Sequence, residues 1–189
     1  MTSKKVIEHG DKKIIVYENV FNRRECLDIY NQIVNANFVR TNIDCFLLNN
    51  VDRDVKWMSP VEPNTYIHRT INEKYFNTIK EIDWNKVKYD GQYINYNTYN
   101  SVDMLHTDRS SNDEGYFTIL HYANHTWDVN WHGLTTWYTD DCSEIIYAAV
   151  PKPGNVIVFD SRIQHSSTAP SPLAEHPRYT IATKLHHQN

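Results

Sequence analysis

Val150-Pro151-Lys152-Pro153-Gly154-Asn155-Val156-Ile157-Val158-Phe159-Asp160 reads as a turn feeding a strand. Two prolines, a glycine and an asparagine within five residues set the torsions of a tight reversal, and the apolar β-branched and aromatic run behind them suits a pleated sheet. Upstream, from Val87, the texture is short Tyr, Thr, Val and Ile runs broken by polar turns, as in a sandwich or barrel. Strands are expected near Gln92 to Tyr99, Tyr116 to Tyr122, Leu134 to Tyr138, Ile145 to Val150, Val156 to Asp160 and Arg178 to Leu185. The 13 tyrosines and 5 tryptophans agree with a β-rich core.

Before residue 87 the pattern is different. Lys13 to Val20 reads as a strand. Asn22 then offers a cap for a helix to about Ala36, with Cys26, Ile29, Tyr30 and Ile33 on one face, which should lie against a sheet. After Pro60 and Pro63, the spacing of Ile67, Ile71, Tyr75 and Ile79 predicts a second amphipathic helix. The expected organisation is one domain over 1–189, with a helical part over 1–86 and a β core over 87–189.

A length of 189 residues suffices for a core without staples. Cys26, Cys45 and Cys142 form no short CxxC pair, so neither a disulfide framework nor a zinc knuckle is suggested. With 19 basic and 23 acidic residues the net charge is -4, which lends no support to a nucleic-acid partner. No signal-like leader is visible, nor any run of about 18 apolar residues able to cross a bilayer. A soluble cytoplasmic protein without membrane association is the expectation.

The chemistry lies in His106-Thr107-Asp108, His165 and Arg178. Residues two apart on an extended segment point the same way, so His106 and Asp108 can reach one ion. Two imidazoles and one carboxylate cap one face of a ferrous ion and leave the other open. With 10 histidines and 23 acids, about one His-x-acid pair arises by chance, so weight comes from the order of the motifs. Taken singly, Asp108 suits a turn and Arg178 could pair with Glu175. A non-catalytic ligand-binding β protein and an interaction module with an aromatic surface are the rival readings.

Taken together, residues from about Tyr93 to Lys184 resemble the Fe(II)- and 2-oxoglutarate-dependent oxygenases, and within them the prolyl hydroxylase branch, including related proteins of bacteriophages. The resemblance implies a double-stranded β-helix, or jelly roll, with the N-terminal helices packed on one sheet. It assigns His106, Asp108 and His165 to the metal, and Arg178, with Thr180, to the far carboxylate of 2-oxoglutarate. Tyr96, ten before His106, and Tyr122, in Leu120-His121-Tyr122-Ala123-Asn124, fall where the family places phenols facing that cosubstrate. The stretch quoted at the outset matches the family's Pro-x-x-Gly-hydrophobic-Phe signature. Trp131-His132-Gly133-Leu134 departs from the usual Trp and Gly-Gly-Glu, keeping one glycine and replacing the acid. The implied cofactors are Fe(II), 2-oxoglutarate and dioxygen, and a carboxylate at 108 favours hydroxylation over halogenation. The implied substrate is a prolyl residue in a peptide or protein, with a free amino acid or other small molecule as the alternative. Trp131, Trp137, Tyr138 and Arg162 are the expected walls of its entrance.

Overall fold

The computed structural model describes residues 2–41 and 56–188; Cys45 lies outside them. Cys26 and Cys142 are free thiols. Among the described residues, eleven strands and two longer helices follow in order: β1 (Ser3–His9), β2 (Lys12–Glu18), α1 (Arg23–Ile33), β3 (Val39–Thr41), β4 (Lys56–Pro60), α2 (Tyr66–Thr78), β5 (Val87–Asn97), β6 (Tyr116–Tyr122), β7 (Thr135–Tyr138), β8 (Ile145–Ala149), β9 (Val156–Asp160), β10 (His165–Ser167) and β11 (Arg178–His187). An eight-stranded sheet runs β1-β2-β9-β6-β11-β5-β4-β3, and a three-stranded sheet runs β10-β7-β8. All the paired strands are antiparallel. The architecture is a jelly roll with two helices packed on the large sheet.

Why the Val156–Phe159 run lacks polar alternation is now plain: both faces of β9 are covered. Val156 and Val158 turn outward with Ile15 and Tyr17, into a core shared with Cys26, Ile29 and Ile33 of α1 and Ile71 and Tyr75 of α2. Ile157 and Phe159 turn inward with Ile14, Val16, Leu120 and Trp137, into the space between the sheets. A strand buried on both faces reads as a continuous apolar stretch.

At the N-terminus of α1 the expected cap is reciprocal. Asn22 Oδ1 accepts from the Glu25 amide at 3.0 Å, and Glu25 Oε2 accepts from the Asn22 amide at 2.7 Å. The helix stops at Ile33, short of the expected Ala36. In front of it, the Val20 and Phe21 amides both donate to the Gly154 carbonyl, at 3.0 and 3.2 Å. Gly154 has φ +77°, and a Cβ there would stand 2.3 Å from the Phe21 carbonyl oxygen. Only glycine lets the 151–155 turn receive the entry to α1.

The division into a helical first part and a β remainder is corrected. Residues before 87 supply β1 to β4, which hydrogen-bond to both edges of the central strands through β2–β9 and β4–β5. β1 escaped the sequence reading because it is an edge strand whose side chains are mostly exposed, so it carries little apolar periodicity. No helix among the described residues is long and apolar enough to cross a membrane.

His121 of β6 is fully buried, stacked at 4.2 Å on Phe21, with no hydrogen-bond partner at either ring nitrogen. Burial pushes its pKa down to about 3. The unfolded chain protonates this ring near 6.5 and the folded chain only near 3, so its neutral form favours folding at higher pH. Stability should be complete above about pH 6.5 and fall by up to roughly 1.4 kcal/mol per unit on acidification from there toward pH 3. His121→Phe is expected to lose that share of the acid sensitivity in urea unfolding at pH 7 and pH 4.5. An identical pH dependence in both proteins would contradict this assignment.

Candidate metal centre and cosubstrate cavity

The segment between β5 and β6 is sewn onto the segment between β9 and β10. The His106 and His165 amides donate to each other's carbonyls at 3.0 and 2.8 Å, and the Asp108 and Arg109 amides donate to the Ser161 carbonyl at 2.9 and 3.1 Å. His106 thereby extends the small sheet beside β10. This brings together two stretches of chain 59 residues apart, and their side chains face one another.

Within this junction, His106 Nδ1 donates to the Met104 carbonyl at 2.7 Å and His165 Nδ1 to the Ile163 carbonyl at 2.9 Å. A carbonyl only accepts, so each ring carries its proton on Nδ1 and presents the Nε2 lone pair. His106 Nε2 lies 3.8 Å from Asp108 Oδ1, and His165 Nε2 lies 3.7 Å from Asp108 Oδ2. Metal bonds of about 2.0–2.2 Å can span such separations. Deprotonated nitrogens with oriented back sides, plus one carboxylate, form a donor set that fits a ferrous ion. No other such group of donors exists among the described residues.

Asp108 is held as a carboxylate. Burial alone would raise its pKa, but the Lys184 ammonium and the two imidazoles outweigh it and hold the group well below the usual range. Thr118 Oγ1 donates to Oδ2 at 2.6 Å, and Lys184 pairs with the same oxygen. Burial, with help from His106 and Lys184, pushes His165 down to about 4 against the opposing pull of Asp108, so the ring is neutral near pH 7.

Across a cavity of about 470 Å³ stands Arg178, at the start of β11. It is 2% exposed, and among the described residues no carboxylate lies within ion-pair distance, so Glu175 is not its partner. Its Nη2 donates to Thr135 Oγ1 at 2.6 Å, the guanidinium lies 5.6 Å from the Tyr122 ring centre, and Nε has no partner. Burial lowers its pKa, although an arginine stays charged regardless. A buried cation with no ion pair among the described residues, and only Asp103 acting on it from farther off, favours an anion from outside the chain. Thr180 also lines the cavity, where its Oγ1 accepts from Asn95 Nδ2 at 3.3 Å.

Two expected contacts are corrected. Tyr96 lies on the opposite face of β5, against Phe38 and Tyr179 at 5.2 and 5.5 Å between ring centres. Tyr93, Asn95 and Asn97 face the cavity instead, because successive strand residues alternate. Tyr122 lies behind Arg178 rather than in the wall, donating its hydroxyl to Thr135 Oγ1 at 2.9 Å. Trp131, Trp137, Tyr138 and Arg162 do not line the cavity either: Trp137 is fully buried between the sheets, and Arg162 is paired with Asp160 and Asp11 at 2.7 and 2.9 Å. Sequence reading missed Lys56, Thr118, Thr135 and Lys184. For Lys184 a signal existed, since 178, 180, 182 and 184 share one face of a strand.

The surviving glycine of the modified segment has a steric role. Gly133 has φ +71°, and a Cβ there would stand 3.1 Å from Arg178 Cδ and 3.0 Å from Trp127 Cζ2. Gly133→Ala is therefore expected to push the guanidinium out of place and weaken anion binding in the cavity by about tenfold, a cost of order 1.4 kcal/mol. Calorimetric titration with 2-oxoglutarate in the presence of nickel measures it; an unchanged affinity would show that Arg178 tolerates the displacement.

No family model matches the chain, and no curated protein matches its sequence. Solved structures do match in fold. A prolyl hydroxylase from Trichoplax adhaerens, in complex with a peptide fragment of the hypoxia-inducible factor oxygen degradation domain, aligns with a TM-score of 0.71 and 14% identity over 92% of this chain and 83% of its own. HygX from Streptomyces hygroscopicus, with nickel and 2-oxoglutarate bound, aligns with a TM-score of 0.65 and 12% identity over 92% of this chain and 82% of its own. A Pseudomonas putida prolyl-4-hydroxylase aligns with a TM-score of 0.64 and 10% identity over 93% and 92%.

Proposed function

We propose that this chain, which has the jelly-roll fold of the 2-oxoglutarate- and iron-dependent oxygenases, is itself such an oxygenase and hydroxylates its substrate. The observation that carries the reading is the pairing of a His106–Asp108–His165 donor set with a buried Arg178 that has no ion pair, across one cavity. His106, Asp108 and His165 would hold the iron. Iron, together with 2-oxoglutarate and dioxygen, supplies the oxidising power that puts one oxygen atom into a C–H bond while 2-oxoglutarate leaves as succinate and carbon dioxide.

The chain's own residues account for binding and orientation. Arg178 offers a fork of donors to the distal carboxylate of 2-oxoglutarate. Thr135 fixes that fork, held in turn by Tyr122. Leu120, Phe159 and Ala182 give the cavity apolar walls that keep water from the reacting end. The carbonyls of Met104 and Ile163 keep both imidazoles in the ligating tautomer.

Two substrate classes have support. Likeness to two prolyl hydroxylases favours a prolyl residue in a peptide. The charged side chains that line the cavity favour a small polar molecule, and HygX, of similar fold, has been seen with hygromycin B. Proline-containing peptides assayed beside free proline, scored by a mass gain of one oxygen, separate the two.

Adding Fe(II) and 2-oxoglutarate without air is expected to give a visible metal-to-ligand absorption band. Binding of both with no band would favour a ligand-binding protein that oxidises nothing. Arg178→Ala should weaken 2-oxoglutarate roughly 100-fold, the equivalent of about 3 kcal/mol for charged hydrogen bonds in a dry site. An unchanged KM for 2-oxoglutarate, followed by succinate release, would remove Arg178 from this role.

A further inference from the structure

Beyond keeping Asp108 ionised, Lys184 has no task in the scheme above, yet its surroundings are specific. Its side chain is 19% exposed and lines the cavity; the ammonium pairs with Asp108 Oδ2 and donates to Thr118 Oγ1 at 3.1 Å. The carboxylate that balances it is the same one an ion at the His106, Asp108 and His165 donors would claim. The other cavity cations have anions of their own. Lys56 pairs with Asp103, and Arg109 pairs with Asp90 at 2.7 Å. Arg178 would be met by 2-oxoglutarate.

Charge counting sharpens the point. Among the described residues the cavity is lined by four cations, Lys56, Arg109, Arg178 and Lys184, against three carboxylates, Asp90, Asp103 and Asp108. A divalent ion and a dianionic cosubstrate cancel each other, so one net positive charge persists in the loaded site, where Lys184 would share Asp108 with the ion. A largely desolvated cation whose carboxylate is shared in this way favours a ligand that brings a further anion.

There is also room beside it. Cross-strand register sets Gly91 of β5 opposite Lys184, and both residues line the cavity. No heavy atom lies within 4 Å of where a Cβ on Gly91 would stand.

We propose that the space over Gly91 holds a carboxylate of the substrate, paired with Lys184, and that the substrate is a free carboxylic acid rather than a neutral peptidyl proline. This rests on the oxygenase reading and narrows it. An acidic side chain of a peptide presents the same chemistry, so the test separates the two sources.

The protein, loaded with nickel and saturating 2-oxoglutarate, is titrated with N-acetyl L-amino acids, each beside its C-terminal amide, and with an acetylated, amidated peptide containing Asp and Glu. Binding is read from melting-temperature shifts. At least one acid is expected to bind about tenfold or more tightly than its amide, as a charge-assisted contact in a dry site implies. Lys184→Met should erase that preference. Gly91→Leu, which leaves the lysine in place and fills the space, should weaken the same acid. Binding by the capped acidic peptide alone keeps the carboxylate site and moves its source to a peptide. If nickel and 2-oxoglutarate stabilise the protein but no acid exceeds its amide, the proposal falls and the oxygenase reading stands. If nickel and 2-oxoglutarate give no stabilisation, both fall.

Discussion

The mutual backbone hydrogen bonds between His106 and His165 are the constraint on which the site depends. They bind the loop after β5 to the start of β10, and with the two amides that reach Ser161 they leave that loop no freedom to carry its side chains elsewhere. Each imidazole is then turned by a carbonyl two residues before it, so the orientation of both rings is set by main chain. Such backbone fixing limits the reorganisation needed when an ion binds.

Around this junction the charges are arranged unevenly. Arg178 is buried without a carboxylate, whereas Asp108 is surrounded by a lysine and two imidazoles. The first arrangement favours an anion in the cavity, and the second keeps a carboxylate ionised beside two imidazoles. The first is not explained by folding alone, because a buried guanidinium without an ion pair costs stability unless a ligand compensates it. That asymmetry, more than the likeness of fold, points to a site built to receive a metal and an organic acid together.

Much of this was legible from residue types and their order. His106, Asp108, His165 and Arg178 could be picked out as candidates because metal and carboxylate chemistry tolerates few substitutes, and the fold brings all four to one cavity; β9 announced itself because a strand covered on both faces must be apolar throughout. Three things were not legible, each for a physical reason. β1 lies on a sheet edge and β10 is only three residues long, so neither has a hydrophobic pattern to read. Tyr96 was placed by its distance from His106, yet a strand's facing depends on parity, and one residue of slip turns a side chain from cavity to core. Lys56 reaches the cavity from β4 through pairing with β5, a contact between distant parts of the chain that spacing cannot encode.

The central claim is that His106, Asp108 and His165 bind one ion jointly. Equilibrium titration with cobalt(II), followed by its visible spectrum, tests it most directly. One ion per chain is predicted for the wild type, with binding lost in each of His106→Ala, Asp108→Ala and His165→Ala while the fold persists. Unchanged cobalt binding in all three variants would contradict the account.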